Sequence, residues 1–211
     1  MFSDKGFGWI VMALVFLEII TIFMLATPET AAGARDLEDH NTVSILGEDR
    51  ARKANVFATK YFSRHFIETG FVANVRAALI PTEEKKAKAT GMEDLLPGLF
   101  KSAAVRLEGL WAMIYNSYHR SYVMVFMLMF IVPVLLPTLV DGLVERRISI
   151  ETNDVAKAVF FHGAKKILIV LLVMPLFILF LPFPVSGTIW FGWLLMLPIF
   201  MWVTAKNVQE L

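Results

Sequence analysis

Residues 122–140 read YVMVFMLMFIVPVLLPTLV, a stretch without a single charged side chain. A helix needs about 20 mainly apolar residues to cross ~30 Å of hydrocarbon at 1.5 Å per residue. Three further runs of similar length and composition lie at residues 7–26, 167–183 and 188–205. The sequence therefore predicts an all-α integral membrane protein with four transmembrane helices. A mainly helical extramembrane domain, residues 27–121, is expected between the first two.

The composition agrees with a membrane protein and argues against several other classes. Of the 211 residues, 57% are apolar, compared with about 45–50% in soluble domains. A formal net charge of +1 provides no excess of lysine and arginine for binding phosphates, so direct contact with nucleic acid is not expected. Because the chain has no cysteine, disulfides, thiolate metal ligands and cysteine nucleophiles are excluded.

The charges next to the apolar runs predict the orientation in the membrane. With four spans, both termini and the loop at residues 141–166 lie on the same side. Most of the basic residues near span ends belong to that side: Lys5, Arg146, Arg147, Lys157, Lys165, Lys166 and Lys206. By the positive-inside rule this side is cytoplasmic, and residues 27–121 are periplasmic. The first run is interpreted as a retained anchor, because the apolar core of a cleaved signal is usually shorter.

The extramembrane domain shows two helical patterns. Apolar residues between Gly47 and Glu68 recur at roughly helical spacing, which predicts one amphipathic helix. A second pattern begins near Gly98 and runs into the span at Tyr122 without a helix breaker, so one long helix is expected there. Residues 81–91 have no apolar period and fit either a short solvated helix or a linker.

No motif in the chain predicts catalysis, a cofactor or a metal. The sequence contains no phosphate-binding loop ending in Gly-Lys-Ser/Thr, no serine-hydrolase elbow and no zinc-protease histidine pair. One polar cluster is interpreted as a solvated, carboxylate-rich turn and not as a metal site; it consists of Asp36, Glu38, Asp39 and His40. The chain is therefore not expected to be an enzyme, and any nucleotide energy would come from a partner.

Glu18 is the acidic residue near the middle of an apolar run. A carboxylate at that depth is costly unless it is protonated or paired, so it should face protein. Two interpretations stay open: an interhelical hydrogen bond, including one to a partner's helix, and a proton or ion site. The hydrogen bond is favoured because no second ionisable residue lies at comparable depth.

The loop at residues 141–166 is the densest polar group beside the membrane. Its candidate partner-binding or structural residues are Asp141, Gly142, Arg146, His162, Lys165 and Lys166. On continuing helices, Asp141 is expected to pair with Arg146 or to reach Lys165 across the hairpin. The group is interpreted either as an ordinary basic boundary at the lipid headgroups or as a docking surface for a partner. Residue chemistry alone favours the boundary.

The same residues carry a family resemblance. Leu139, Asp141, Gly142, Leu143, Val144 and Arg146 follow one span, and His162, Ala164, Lys165 and Lys166 precede the next. In this pattern the chain resembles a family of small membrane proteins encoded in the conjugative transfer regions of integrating elements and large plasmids, including the TraJ-like protein of H-type plasmids. Members are also similar in plan, with four predicted spans and a long insert between the first two.

The resemblance implies a non-enzymatic subunit of a conjugative type IV secretion system in the bacterial inner membrane. The implied partners are the coupling ATPase that feeds DNA to the channel and other membrane proteins of the system, without direct DNA contact. On this reading the loop residues hold the hairpin in shape or dock the ATPase. Two other functions stay open: a small proton- or ion-linked transporter centred on Glu18, and an entry-exclusion or immunity protein. The oligomeric state is not predicted, and a homo-oligomer is compatible with the sequence.

Overall fold

The structure, a computed structural model, describes residues 4–80, 96–151 and 158–208. These ranges are helical, as predicted, with seven α-helices, one short π-helix and no strand. The α-helices are α1 (Asp4–Leu25), α2 (Pro28–Leu46), α3 (Glu48–Phe62), α4 (Phe71–Leu79), α5 (Leu96–Glu151), α6 (Ala158–Phe180) and α7 (Gly187–Lys206), and the π-helix is Ser63–Ile67. The predicted short helix or linker at residues 81–91 lies outside the described residues.

Three of the described helices, α5, α6 and α7, are long and apolar enough to cross a membrane. The predicted count of four transmembrane helices is therefore wrong. The first apolar run does form α1, but the apolar stretch described there, Met12–Ile22, is too short to cross a membrane. At 1.5 Å per residue, such a stretch covers only about half of the ~30 Å of hydrocarbon.

The chain divides into two compact units. The first unit comprises Met1–Tyr122 together with the short segment Leu179–Val185. The second unit comprises Val123–Ile178 and Ser186–Leu211. Helix α5 contributes residues to both units; it begins at Leu96, close to the predicted start near Gly98, and is 56 residues long.

Local signals set the ends of α2, a helix that the sequence analysis did not predict. The Thr27 hydroxyl accepts the N–H of Thr30 at 3.2 Å, and the Thr30 hydroxyl accepts the N–H of Thr27 at 3.1 Å, which forms a capping box. Pro28 occupies the first helical position, where its missing N–H costs nothing. Gly47 ends the helix with a φ of +81°, a backbone region that glycine adopts without strain.

In the first unit, α2 packs against α3, and both helices bury small side chains. Ala54 and Ala58 of α3 are completely buried, and Ala31 and Ala34 of α2 are nearly so. Small residues let two helix backbones approach closely. The predicted amphipathic helix between Gly47 and Glu68 is confirmed as α3, and the π-helix continues it.

In the second unit, α6 and α7 are joined by a buried hydrogen bond. The indole N–H of Trp193 donates to the carbonyl oxygen of Leu171 at 2.6 Å. Pro175 lies inside α6, four residues after Leu171, and its nitrogen has no hydrogen to donate to that carbonyl. A neighbouring helix thus satisfies the carbonyl that this proline leaves without a partner.

Candidate functional site

Asp141, the first of the predicted loop residues, binds helix α7. Its Oδ2 accepts the indole N–H of Trp202 at 2.8 Å. One turn further along α5, the Oε1 of Glu145 accepts a hydrogen bond from Lys206 Nζ at 2.9 Å. Lys206 also lies over the ring of Trp202, with its nitrogen 4.9 Å from the ring centre. Two side chains one turn apart on α5 therefore hold two side chains one turn apart on α7.

Gly142 brings the two helices close together at the same place. A Cβ atom on this glycine would lie 2.8 Å from the Cβ of Ala205 and 3.0 Å from the carbonyl oxygen of Trp202. Side chains do not approach backbone atoms so closely, so only glycine fits here without a shift of α7. We call the group of Asp141, Gly142, Glu145, Trp202 and Lys206 the α5–α7 tie.

The expected pairing of Asp141 with Arg146 or Lys165 is wrong, because the Asp141 carboxylate binds Trp202 instead. Arg146 lies five positions after Asp141 on a continuous helix, which places it about 140° around the axis. Lys165 lies beside an aromatic side chain of its own helix, with its nitrogen 6.0 Å from the ring centre of Phe161. The tie joins α5 to α7 and not to α6.

The remaining predicted residues are Arg146, on α5, and His162, Lys165 and Lys166, on α6. His162 and Lys165 are exposed near the start of α6, and the His162 ring lies 5.5 Å from that of Phe161. Arg146 and Lys166 are half-buried. The structure thus divides the predicted set by role: Asp141 and Gly142 pack helices, whereas His162 and Lys165 offer an exposed polar surface.

A buried ion pair lies in the first unit, between α2 and α5. Glu38 is 4% exposed and Arg120 is 2% exposed. The Nη2 atom of Arg120 lies 2.5 Å from Glu38 Oε1, and its Nε lies 3.0 Å from Oε2, so the pair is bidentate. Buried charges are tolerated only when both partners are fully hydrogen-bonded.

The other donors of Arg120 hold the segment Leu179–Val185. They donate to the carbonyl oxygens of Leu179, Leu181 and Phe183 at 3.2, 2.7 and 2.8 Å. Glu38 Oε1 completes the arrangement by accepting the N–H of Val185 at 2.8 Å. The end of a helix and the turn after it expose backbone groups without helical partners. We call Glu38, Arg120 and this segment the Arg120 clasp.

The interpretation of residues 36–40 as a solvated turn is wrong, because these residues belong to α2. Asp36 and His40 are exposed, but Glu38 is buried in the clasp. Asp39 Oδ1 lies 3.3 Å from His119 Nε2, although not in an orientation that makes a hydrogen bond. In the part of the chain that the structure describes, no three side chains are placed to hold a metal ion.

The sequence contains one signal that points to the clasp. The buried residues of α2 are Ala31, Ala34, Glu38 and Thr42, spaced by three or four positions as on one face of a helix. None of them is a large apolar residue, so a search for hydrophobic periodicity misses the face. Arg120 lies 82 residues away and adjoins an apolar run, where it resembles an ordinary basic boundary.

Aromatic side chains join α3 and the π-helix to α5 in the same unit. Helix α2 also contacts α5 here: its Arg35 guanidinium lies 4.4 Å from the centre of the Tyr115 ring and donates to the Tyr115 hydroxyl at 3.1 Å. Three ring pairs follow the two helices, Phe57 with Tyr122, Tyr61 with Tyr118 and Phe66 with Trp111. Because residue numbers rise on one helix as they fall on the other, α3 and the π-helix run antiparallel to α5.

Two exposed carboxyl groups at helix starts have lowered pKa values. Hydrogen bonds from Lys53 and then Arg52 lower the pKa of Asp49. Its own backbone N–H and then the Thr27 hydroxyl lower the pKa of Glu29. Acidic groups in a first helical turn favour the helix, so these shifts fit helix stabilisation and not acid–base catalysis.

Glu18 lies on α1 and is half-buried. Its Oε1 atom is buried without a hydrogen-bond partner among the described residues. The nearby hydroxyl of Thr21 donates instead to the carbonyl oxygen of Leu17 at 2.8 Å. The two interpretations of Glu18, an interhelical hydrogen bond and an ion site, stay predictions.

The model of one protein family, described as IncC plasmid conjugative DNA transfer protein DtrJ-like, matches residues 29–209. The match includes the Arg120 clasp, the α5–α7 tie and all three apolar helices. A comparison with curated proteins and one with solved structures each gave no match. The predicted link to conjugative transfer is confirmed at the level of the family, while kinship with the TraJ-like protein of H-type plasmids stays a prediction.

Proposed function

Because the chain belongs to the DtrJ-like family of IncC plasmid conjugative DNA transfer proteins, we propose that it is a non-enzymatic inner-membrane subunit of a conjugative type IV secretion system. The family implies a role in conjugative DNA transfer, and the match over residues 29–209 is the observation that carries the proposal. In this role the chain binds the coupling ATPase, which supplies the nucleotide site that the sequence lacks.

The exposed residues at the start of α6 support a docking surface. His162 and Lys165 extend from the helix beside Phe161, and neither belongs to the α5–α7 tie. On α5, Arg147 is also exposed and pairs with Glu151 at 3.6 Å. We propose that this basic surface binds acidic side chains of the ATPase, because charge complementarity guides such encounters.

The three apolar helices give a specific topology for this proposal. If α5, α6 and α7 each cross once, as we propose, the loop between α5 and α6 lies on the same side as the C-terminus, and α2, α3 and α4 lie on the opposite side. The positive-inside rule makes the side with Arg147, Lys165 and Lys206 cytoplasmic. The N-terminus then lies on the periplasmic side, in contrast to the four-helix expectation.

The chain is well suited to a test of this topology because it has no cysteine. Single substitutions Lys165→Cys and Asp36→Cys each introduce one thiol at an exposed position. With a membrane-impermeant maleimide on spheroplasts, we expect Asp36→Cys to be labelled and Lys165→Cys to be labelled only after lysis. The reverse pattern would place the loop outside the cytoplasm and remove the ATPase docking surface.

Association with the ATPase is tested by purifying the tagged protein in mild detergent from transfer-competent donor cells. We expect the coupling ATPase among the proteins identified by mass spectrometry. The double variant His162→Ala/Lys165→Ala should lower both ATPase recovery and transfer frequency by about tenfold, which corresponds to ~1.4 kcal/mol. The control is Lys60→Ala/Arg64→Ala, which removes two exposed cations from the first unit. Equal behaviour of the two double variants would contradict the docking surface.

A secretion subunit and an entry-exclusion protein differ in which cell, donor or recipient, needs the gene. A secretion subunit is required in the donor, so deletion there should abolish transfer. Deletion only in the recipient should change nothing. A rise in transfer into a recipient that lacks the protein would instead indicate exclusion.

A further inference from the structure

A cavity of about 350 Å³ opens in the first unit, where the π-helix, α5 and the end of α6 meet. Its lining residues are Phe66, Ile114, Ser117, Tyr118, Ser121, Leu179 and Phe180. None of these residues belongs to the exposed start of α6, where we propose that the ATPase docks. Its volume lies within the range of about 300–1,000 Å³ in which proteins bind small molecules.

The hydroxyl groups of the lining already have partners within the protein. The Ser117 hydroxyl donates to the carbonyl oxygen of Leu179 at 2.8 Å, and the Ser121 hydroxyl donates to that of Ser117 at 2.7 Å. The Tyr118 hydroxyl lies 2.9 Å from His65 Nδ1. A ligand therefore meets aromatic and aliphatic surface and no unpaired donor. Such a cavity favours a purely apolar group.

The position of the cavity along the chain indicates the source of that group. Ser121 directly precedes the uncharged stretch at residues 122–140, and Ser117 lies one helical turn before Ser121. Leu179 and Phe180 are the last residues of α6, an apolar helix long enough to cross a membrane. The lining residues of α5 and of α6 thus both lie at the end of a membrane-crossing stretch, where the acyl chains of phospholipids are the abundant apolar group.

The π-helix is an independent sign of function at this place. The N–H of Glu68 donates to the carbonyl oxygen of Ser63 at 2.9 Å, five residues back. Short π-helices are rare and are often found at functional sites. This one contains Phe66, which forms a wall of the cavity and contacts Trp111 and Tyr118.

We propose that the cavity binds one acyl chain of a membrane phospholipid, packed against Phe66 and Ile114. The bound lipid joins the π-helix to the membrane end of α5 without a hydrogen bond. An aromatic side chain from a protein partner is the competing occupant, and the experiments below separate the two.

The first test measures retained lipid by native mass spectrometry of the protein purified in mild detergent. We expect about one phospholipid per wild-type chain. Ser121→Phe fills the cavity and should lower the lipid-bound fraction about tenfold. The matched control is Val125→Phe, one turn further along α5 at a position that is 49% exposed, and it should retain the lipid. Absence of lipid from the wild type, or equal retention in both variants, would overturn the proposal.

The second test needs no substitution in the cavity. The wild-type chain is reconstituted in vesicles of phosphatidylethanolamine and phosphatidylglycerol that contain a phospholipid with a diazirine in one acyl chain. After irradiation, we expect a lipid adduct on the peptide that contains Phe66, which lies outside the three apolar helices. Adducts confined to peptides that contain none of the lining residues would overturn the proposal and favour a protein occupant. The result is independent of ATPase binding, so failure of one proposal leaves the other standing.

Discussion

The indole N–H of Trp193 donates to the carbonyl oxygen of Leu171 in place of the backbone N–H that Pro175 lacks. In a regular helix, the carbonyl of Leu171 would accept the N–H of residue 175, but that residue is proline and has none. Trp193 on α7 donates to the same carbonyl at 2.6 Å. Leu171 and Trp193 are both buried. An unpaired carbonyl in an apolar environment costs several kcal/mol, so the proline and the tryptophan are energetically coupled.

This coupling predicts the outcome of a double-mutant cycle. Trp193→Phe should destabilise the protein by about 1–2 kcal/mol because Leu171 loses its donor. In the Pro175→Ala background the cost should fall, because the new N–H pairs with that carbonyl. Thermal unfolding followed by circular dichroism in detergent measures both values. Trp190→Phe is the control: it removes a buried indole that makes no hydrogen bond to the described residues. An equal cost of Trp193→Phe in both backgrounds would contradict the coupling.

Arg120→Lys should be destabilising although it keeps the charge. The guanidinium of Arg120 binds Glu38 at two positions and reaches three carbonyl oxygens. A lysine ammonium has only three donors and no planar fork, so several buried acceptors would stay unpaired. We expect the free energy of unfolding to fall by about 3 kcal/mol, which lowers the melting temperature by roughly 6–12 °C.

The control for this prediction is the same substitution at a surface pair. Arg52→Lys changes a residue whose side chain is 76% exposed and which lies 2.9 Å from Asp49. Exposed ion pairs contribute at most about 1 kcal/mol, so the melting temperature should barely change. A similar small effect at Arg120 would show that the clasp is not a significant source of stability.

Gly109→Ala should disrupt the junction between α1 and α2. A Cβ atom at Gly109 would overlap the carbonyl group of Ala26 and lie 2.8 Å from the Cα of Thr27. These are backbone atoms that cannot rotate away, so a cost of at least ~1–3 kcal/mol is expected. Gly33→Ala is the matched control, since its added Cβ has open space around it, with no heavy atom from other described parts of the chain within 4 Å. There the higher helix propensity of alanine should raise stability by up to about 1 kcal/mol. Denaturation of both variants in detergent shows whether each substitution lowers or raises the free energy of unfolding.

Glu18→Gln distinguishes an assembly role from proton-linked transport. The Oε1 atom of Glu18 is buried and has no hydrogen-bond partner in the described ranges of the chain. Glutamine keeps the shape of the side chain and cannot carry a titrating proton. If the chain acts in assembly, conjugation frequency should stay within about twofold of the wild type. A complete loss of transfer, with normal amounts of protein in the membrane, would favour the transporter interpretation.

The elements that the sequence predicted depend on local properties of the chain. The uncharged run at residues 122–140 indicates a membrane helix by its length alone, and α5 does cross this region. The helical spacing after Gly47 likewise predicts α3. Helix α2 was missed because its buried face consists of small and polar residues. Hydrophobic periodicity has no signal for such a face.

The sequence by itself determined the helical class, the apolar helices α5, α6 and α7 and the membership of a conjugative transfer family. Only the tertiary structure decided which residues meet. Glu38 and Arg120 are 82 positions apart, and Asp141 and Trp202 are 61 apart. Helix formation depends on neighbours within a few residues, so the sequence shows it directly. Burial of a charge depends on a partner from a distant part of the chain, and the spacing of neighbouring residues does not show which distant residues come into contact.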